Sequence, residues 1–260
     1  MPSSSSTVRF QAGLGGYNGV WDTYLDRAAP ATNFGREGVF KVKSHELTRM
    51  NALLRFDVSA IPPTQEVYRA TLYLFCTTYW SVGQHTAYLQ PYRLLRPWRE
   101  SEATWLEAMT ATPWSIPGGE GAGSDYWSTP DDSVPITPAC QGTWIAVDVT
   151  EIVRHWVRQP AENYGLLLRL VHPEGKSVLA TFIASDYTPR PQLKPWLEVV
   201  HYTPARERSV SALGPEQPQA RGGLLFRRRQ PQIDPPPTAT VIKGVEFSII
   251  LELKRGRQGP

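Results

Sequence analysis

Long apolar runs are missing from this 260-residue sequence. No uninterrupted stretch reaches the ~18 residues of a membrane-spanning helix, so no membrane span is expected. The opening Met1-Pro-Ser-Ser-Ser-Ser-Thr7 has no basic region followed by an apolar run, and no classical secretory signal is visible. Cysteine is scarce: Cys76 and Cys140 are the two present. A chain of this length is not a disulfide scaffold. Whether the two pair is left open, and Cys76, alternating with Leu74 and Leu72, reads as a small buried hydrophobe.

The local signatures of catalysis are absent as well. There is no His-Glu-x-x-His, no Cys-x-x-Cys, no Gly-x-Ser-x-Gly and no Asp-rich calcium loop. The five histidines are scattered and suit packing or surface roles better than metal ligation. Gly118-Gly-Glu-Gly-Ala-Gly123 lacks the Lys-Ser/Thr of a phosphate loop and reads as a flexible loop. A structural calcium ion stays open with no ligands assigned, and no other cofactor is expected.

Net positive charge is lacking in the body. Residues 204–260 carry ten Lys and Arg against five Asp and Glu, leaving a net −2 for residues 1–203. Specific nucleic-acid binding by the body therefore finds no support. The Arg227-Arg228-Arg229 run reads as part of a solvated linker.

What the chain does have is alternation. In Asn51–Pro63, Leu54, Phe56 and Val58 alternate with Leu53, Arg55 and Asp57. In Ala70–Cys76, Ala70, Leu72, Leu74 and Cys76 alternate with Thr71, Tyr73 and Phe75. This is the period of a pleated strand, and the two segments read as neighbouring core strands with a turn at Pro62-Pro63. Further strands are expected at Val20–Asp26, Val39–Lys43, Thr86–Leu95, Thr143–Val149, Gly165–Val171, Val178–Ala184 and Pro195–Tyr202. Pro91 places its strand at an edge or bulge. One short helix follows Thr150, capped by Asp148 or Thr150, with Ile152, Val153, Trp156 and Val157 on one face.

Residues 96–142 form a long irregular stretch holding Trp98, Trp105, Trp114 and Trp127, aromatics able to pin it onto the sheet. About nine strands and one short helix imply an all-β, jelly-roll-like antiparallel β-sandwich. The organisation expected is an N-terminal arm (1–19), the sandwich (20–203), a Pro/Arg-rich linker (204–240) and a C-terminal docking strand (241–260). In that last segment Val241, Val245, Phe247, Ile249, Leu251 and Leu253 share one face, a pattern suited to pairing with a neighbouring subunit by strand addition.

Candidate binding residues lie elsewhere. Lys41 and Lys43 share the outward face of their strand with Arg36 just upstream, a basic set suited to an acidic polysaccharide. Tyr79, Trp80, Tyr126 and Trp127 fall in expected loops where aromatics stack on sugar rings. Glu100 and Glu102, two apart, could act as an acid–base pair or calcium ligands, but one local pair does not establish a glycosidase cleft. With Arg96 and Arg99 adjacent, an ion-pair cluster is the better reading. Asp131-Asp132 reads as a turn.

Trp21-Asp-Thr-Tyr-Leu25, Thr32-Asn-Phe-Gly35, Ala52-Leu-Leu-Arg-Phe-Asp57 with Ile61-Pro62, Ala70-Thr-Leu-Tyr-Leu74, Trp98-Arg-Glu-Ser-Glu-Ala-Thr-Trp105, Val147-Asp-Val-Thr150 and Asn163-Tyr-Gly-Leu166 together resemble the DNRLRE-domain family over residues 20–203. That family is related to disaggregatase-associated repeats and alginate-binding carbohydrate-binding modules. The resemblance implies a non-catalytic extracellular or surface module. It leads to the expectation of a structural, adhesive component of a larger assembly, such as a phage decoration, tail or fibre protein on a virion surface, anchored by the C-terminal strand. The alternative is a free carbohydrate-binding module for acidic polysaccharides such as alginate. A lyase or hydrolase rests only on the carboxylates and tyrosines.

Overall fold

The computed structural model describes residues 5–204, so the linker and the C-terminal docking strand, with Val241, Val245, Phe247, Ile249, Leu251 and Leu253, lie outside the described residues. Within 5–204 the strands are β1 (Ser5–Gln11), β2 (Val20–Asp26), β3 (Val39–Lys43), β4 (Met50–Phe56), β5 (Glu66–Ser81), β6 (Ala87–Arg93), β7 (Glu107–Met109), β8 (Thr112–Pro113), β9 (Val134–Ile136), β10 (Thr143–Asp148), β11 (Leu166–Val171), β12 (Val178–Ile183) and β13 (Trp196–Tyr202), with one α-helix, α1 (Thr150–Arg158), between β10 and β11; the nine expected strands are all present, and β1, β7, β8 and β9 are additions. The fold is all-β with one short helix.

Eleven strands join in one antiparallel sheet ordered β1-β13-β5-β12-β3-β4-β11-β6-β9, with β10 added to β5 and β2 to β4; β7 and β8 form a separate pair. β5 is the pivot of the curl. Its first half, Glu66–Tyr73, pairs with β13, its second half, Cys76–Ser81, with β12, and its middle, Thr71–Cys76, with β10. A strand of 16 residues shared in this way lets a single hydrogen-bonded path wrap one core. Ala70, Leu72, Leu74 and Cys76 face that core, as their period requires, together with Ala52, Leu54 and Phe56 of β4 and Ile152, Val153, Trp156 and Val157 of α1.

Two expectations change. β4 and β5 are not neighbours, because β12 and β3 lie between them in the sheet. Alternation fixes which face a residue takes, not which strand lies alongside. The 57–65 connection leads to a strand three places along the sheet instead of turning back, burying Val58 and Ile61 on the way. Ser5–Gln11, within the expected arm, is a strand paired with β13 that contributes Phe10 to the core. The first turn of α1 is capped from two sides: Asp148 Oδ1, one of the two expected residues, accepts the Thr150 N–H at 2.8 Å, and Asp131 Oδ2, reaching in from another loop, accepts the Ile152 N–H at 2.7 Å. Asp132 accepts the Asp148 N–H at 2.8 Å, so the Asp131-Asp132 pair fastens its loop to the β10–α1 junction.

Pro91 lies opposite Leu168 of β11 and beyond Leu89, where pairing with β9 stops. A missing N–H is tolerated there because one flank of the strand is no longer paired.

Candidate partner-binding face

The outer surface of the curled sheet is treated in two ways. On the β2-β4-β11-β6 side, Leu25, Leu53, Leu167 and Tyr92 point away from the main core and would meet solvent if nothing lay over them. Trp98, Trp105, Trp114 and Tyr126 of the long irregular stretch cover them and form a second apolar cluster. The cover is locked by Asp125, fully buried, whose carboxylate accepts N–H groups from Ser115 (2.9 Å), Ile116 (3.0 Å) and Gly121 (2.9 Å) and pairs with Arg96 at 3.2 Å. Burial pushes its pKa up, but these donors outweigh it and hold the carboxyl below its ordinary value. Gly118 packs against the Trp105 ring with φ +87°, leaving no room for a Cβ. The glycine-rich segment is therefore a packed element, not the flexible loop its composition suggests.

Glu100 and Glu102, expected side by side, face different ways because residues 99–102 turn instead of extending. Glu102 pairs with Arg99 at 2.9 Å and accepts the Thr110 N–H. Glu100 Oε1 accepts the Asp22 N–H at 2.7 Å, satisfying an amide of β2, while Asp22 Oδ2 accepts the Ser185 N–H at 2.7 Å. Gly35 sits so close to the Glu100 carbonyl that a side chain there would collide with it. Burial is the main cause that raises Asp22 to about 7 and Glu100 to about 7, with the neighbouring Asp186 adding to both. A cleft of about 540 Å³ opens beside them, lined by Gly35, Arg36, Glu100, Ser101 and Asp186. Among the described residues, no three or more His, Cys, Asp or Glu side chains are arranged to hold a metal ion.

On the β1-β13-β5-β10 side nothing among the described residues forms such a cover, and the rings face outward. Tyr73 and Phe75 take the phase of β5 opposite to the core set. Register places Trp196 of β13 and Ala146 of β10 on either side of Tyr73, and Trp144 opposite Phe75. The Tyr73 and Trp196 rings stack at 3.8 Å with 7° between planes. Trp144 meets Phe75 edge-on at 5.4 Å and Trp196 edge-on at 6.3 Å. Arg9 of β1 lays its guanidinium 3.9 Å over Trp196 and donates to Gln11 Oε1 at 2.8 Å. Trp144 is 37% exposed, and Tyr73, Phe75 and Trp196 are half-buried. The face continues along β10 to Asp148, at a cleft of about 510 Å³ lined also by Arg69 and Glu151. Flat aromatic rings held rigid by one another, flanked by an arginine and carboxylates, match the composition of binding hot spots.

The sequence-derived binding residues do not form one site. Arg36 lines the Glu100 cleft. Lys41 and Lys43 do alternate outward from Phe40 and Val42, and the Lys41 ammonium lies 5.4 Å over the Tyr24 ring. Tyr79 and Trp80 lie within β5, not in a loop: Tyr79 turns toward the core with its hydroxyl on the His85 carbonyl, and Trp80, 48% exposed, lines up through Leu179 with Lys43. Tyr126 is buried in the cover, where its hydroxyl accepts from Arg169 at 2.8 Å. Trp127, 52% exposed, stands beside Arg93. Sequence reasoning missed Arg9, Tyr73, Phe75, Trp144 and Trp196 as a group. The available signal was two aromatics in the non-core phase of an otherwise well-ordered strand.

A search of curated proteins finds no match to this chain. A family model described as TGF-beta propeptide matches residues 26–184, more than half of the sequence. This overturns the resemblance to the DNRLRE-domain family. The readings built on it fall too: a phage virion or decoration component, a carbohydrate-binding module, acidic polysaccharide as ligand, and a neighbouring subunit engaged by the C-terminal strand. Framework motifs misled here because Leu-Arg-Phe-Asp and Ala-Thr-Leu-Tyr-Leu describe a two-faced core strand, which unrelated β-folds share. No described helix is long and apolar enough to cross a membrane.

Proposed function

Because the chain belongs to the TGF-beta propeptide family, we propose that it is the non-catalytic propeptide part of a secreted growth-factor precursor, and that it holds a mature growth factor of the TGF-β type noncovalently outside the cell. The family match carries this reading. The aromatic face supplies the docking surface: Trp144, Trp196, Tyr73 and Phe75 are large, rigid and already ordered by their mutual contacts, so little side-chain freedom is lost when a partner covers them. Arg9 at one end and Asp148 at the other, with the Arg69–Glu198 ion pair between them, give the partner charges to match, which set orientation more than affinity.

The test is co-expression with a TGF-β-type growth factor, followed by size-exclusion chromatography and titration of the isolated components. A stable co-eluting complex is expected, weakened roughly 100-fold or more by Trp144→Ala combined with Trp196→Ala. Failure of the unaltered chain to bind refutes the propeptide reading. Full binding by the double variant refutes the face while leaving that reading in place.

A further inference from the structure

Cys76 and Cys140 are 64 residues apart in sequence, yet their Sγ atoms lie 2.9 Å apart. Cys76 is fully buried at the centre of β5 and Cys140 is 4% exposed in the short turn that leads into β10. The backbone around them is fixed independently of the sulfurs. Gly142 N–H donates to the Cys76 carbonyl at 2.8 Å, Thr143 is the register partner of Cys76, and the Thr143 hydroxyl donates to the Cys140 carbonyl at 2.8 Å. Both thiols are free in this structure.

We propose that Cys76 and Cys140 are a modification site: in the secreted propeptide they are joined by an intrachain disulfide that ties β5 to β10. The inference rests on the extracellular reading above, since disulfides persist in oxidising compartments. The oxidant is of the disulfide class, a glutathione-type disulfide or the active-site disulfide of a thiol oxidoreductase. The Cys140 thiolate attacks one sulfur of that disulfide and expels the other as a thiolate. The Cys76 sulfur, giving up its proton to the solvent, then attacks Cys140 Sγ, forms the Cys76–Cys140 bond and expels the second thiolate. The protein loses two protons and two electrons, and the oxidant becomes two thiols.

The order of attack follows from the site. Cys140 is the less enclosed sulfur, and the hydrogen bond from Cys76 holds its pKa down, favouring thiolate there. The same hydrogen bond, reinforced by burial, pushes Cys76 up and keeps it protonated until the second step. Burial of both sulfurs makes the reaction wait on an opening of the Pro138–Cys140 turn, which frees Cys140 while Cys76 stays enclosed in β5. The product would do more than staple the core. Phe75 precedes Cys76 and Trp144 follows Thr143, so the bond would fix the register that brings these two rings together on the aromatic face.

The test uses the full chain, reduced and then equilibrated in a glutathione redox buffer. Thiols are counted in denaturant, the intact mass is measured, and a digest is mapped. The expected result is joint loss of both thiols, a mass lower by two hydrogens, a single peptide pair linking Cys76 to Cys140, and a midpoint of thermal unfolding raised by roughly 5–15 °C over the reduced protein. Cys76→Ser should accumulate a glutathione adduct on Cys140, whereas Cys140→Ser should leave Cys76 unmodified. Two thiols still countable at the redox poise of the secretory lumen, or linkage only between chains, overturns the proposal. Growth-factor binding plays no part in these readouts, so failure here leaves the propeptide reading standing.

Discussion

The two outer faces of one sheet are finished differently. On the β4-β11 side the chain supplies its own cover, and Trp98, Trp105 and Trp114 are each less than 6% exposed. On the β5-β13 side comparable rings stay partly exposed, Trp144 at 37%, held by one another and by Arg9 with no covering segment over them among the described residues. The same residue type therefore does two jobs. Covered, an aromatic contributes stability, and its removal leaves a cavity. Uncovered, it contributes little to folding and keeps its apolar surface available for a partner.

The largest effect expected from this contrast is on the covered side. Trp105→Ala should cost about 3–5 kcal/mol in urea unfolding, while Trp144→Ala should cost about 1 kcal/mol or less. Comparable losses at the two positions would break the contrast. Next comes Asp125→Ala, which strands the three N–H groups that the carboxylate accepts. A loss of about 2–4 kcal/mol is expected, with limited proteolysis opening the 114–126 segment before the sheet. Cleavage that begins in the sheet would contradict the locking role.

The edge of the cover gives a pH test. Asp22 and Glu100 hold their protons to about pH 7 when folded, against ordinary values of 3.8 and 4.5. Between roughly pH 4 and 7 the folded protein therefore binds more protons than the unfolded chain. Stability should fall as pH rises through that window and level off above it. Asp22→Asn keeps an acceptor for the Ser185 N–H and should flatten the slope, chiefly by raising the unfolding midpoint at pH 8. An unchanged slope in this variant would assign the pH dependence to other groups. The smallest effect belongs to Lys41→Ala with Lys43→Ala, which should change stability by less than about 0.5 kcal/mol and leave growth-factor affinity as it is.

Much of the framework was legible in the sequence, because period-two alternation directly encodes which side chains face the core. The helix face at Ile152, Val153, Trp156 and Val157 was legible for the same reason at period 3.6. Sheet neighbours were not. Only the tertiary path decides that β12 and β3 separate β4 from β5. β1 escaped notice because Ser5-Ser-Thr-Val-Arg-Phe contributes a single fully buried residue, Phe10, and gains its pairing from β13, far along the chain at Trp196–Tyr202. The tryptophans of the long irregular stretch announced a pinned loop but not the face they would cover. The aromatic face was hidden for a similar reason. Tyr73 and Phe75 sit in plain alternation, but Trp144 and Trp196 join them only through the β5-β10 and β5-β13 registers. Basic and aromatic residues chosen by local context, such as Lys41, Tyr79 and Tyr126, proved to be dispersed over separate parts of the surface and core.

Hydroxyl-radical footprinting of the chain, alone and with a TGF-β-type growth factor bound, tests the docking face most directly, because the tryptophans supply their own controls. Trp144 and Trp196 should lose reactivity in the complex together with Tyr73 and Phe75. Trp105 and Trp114 should stay unreactive in both states, and the exposed Trp80 and Trp127 should stay reactive in both. Protection of Trp80 or Trp127 with Trp144 left reactive would place the partner elsewhere and contradict the account.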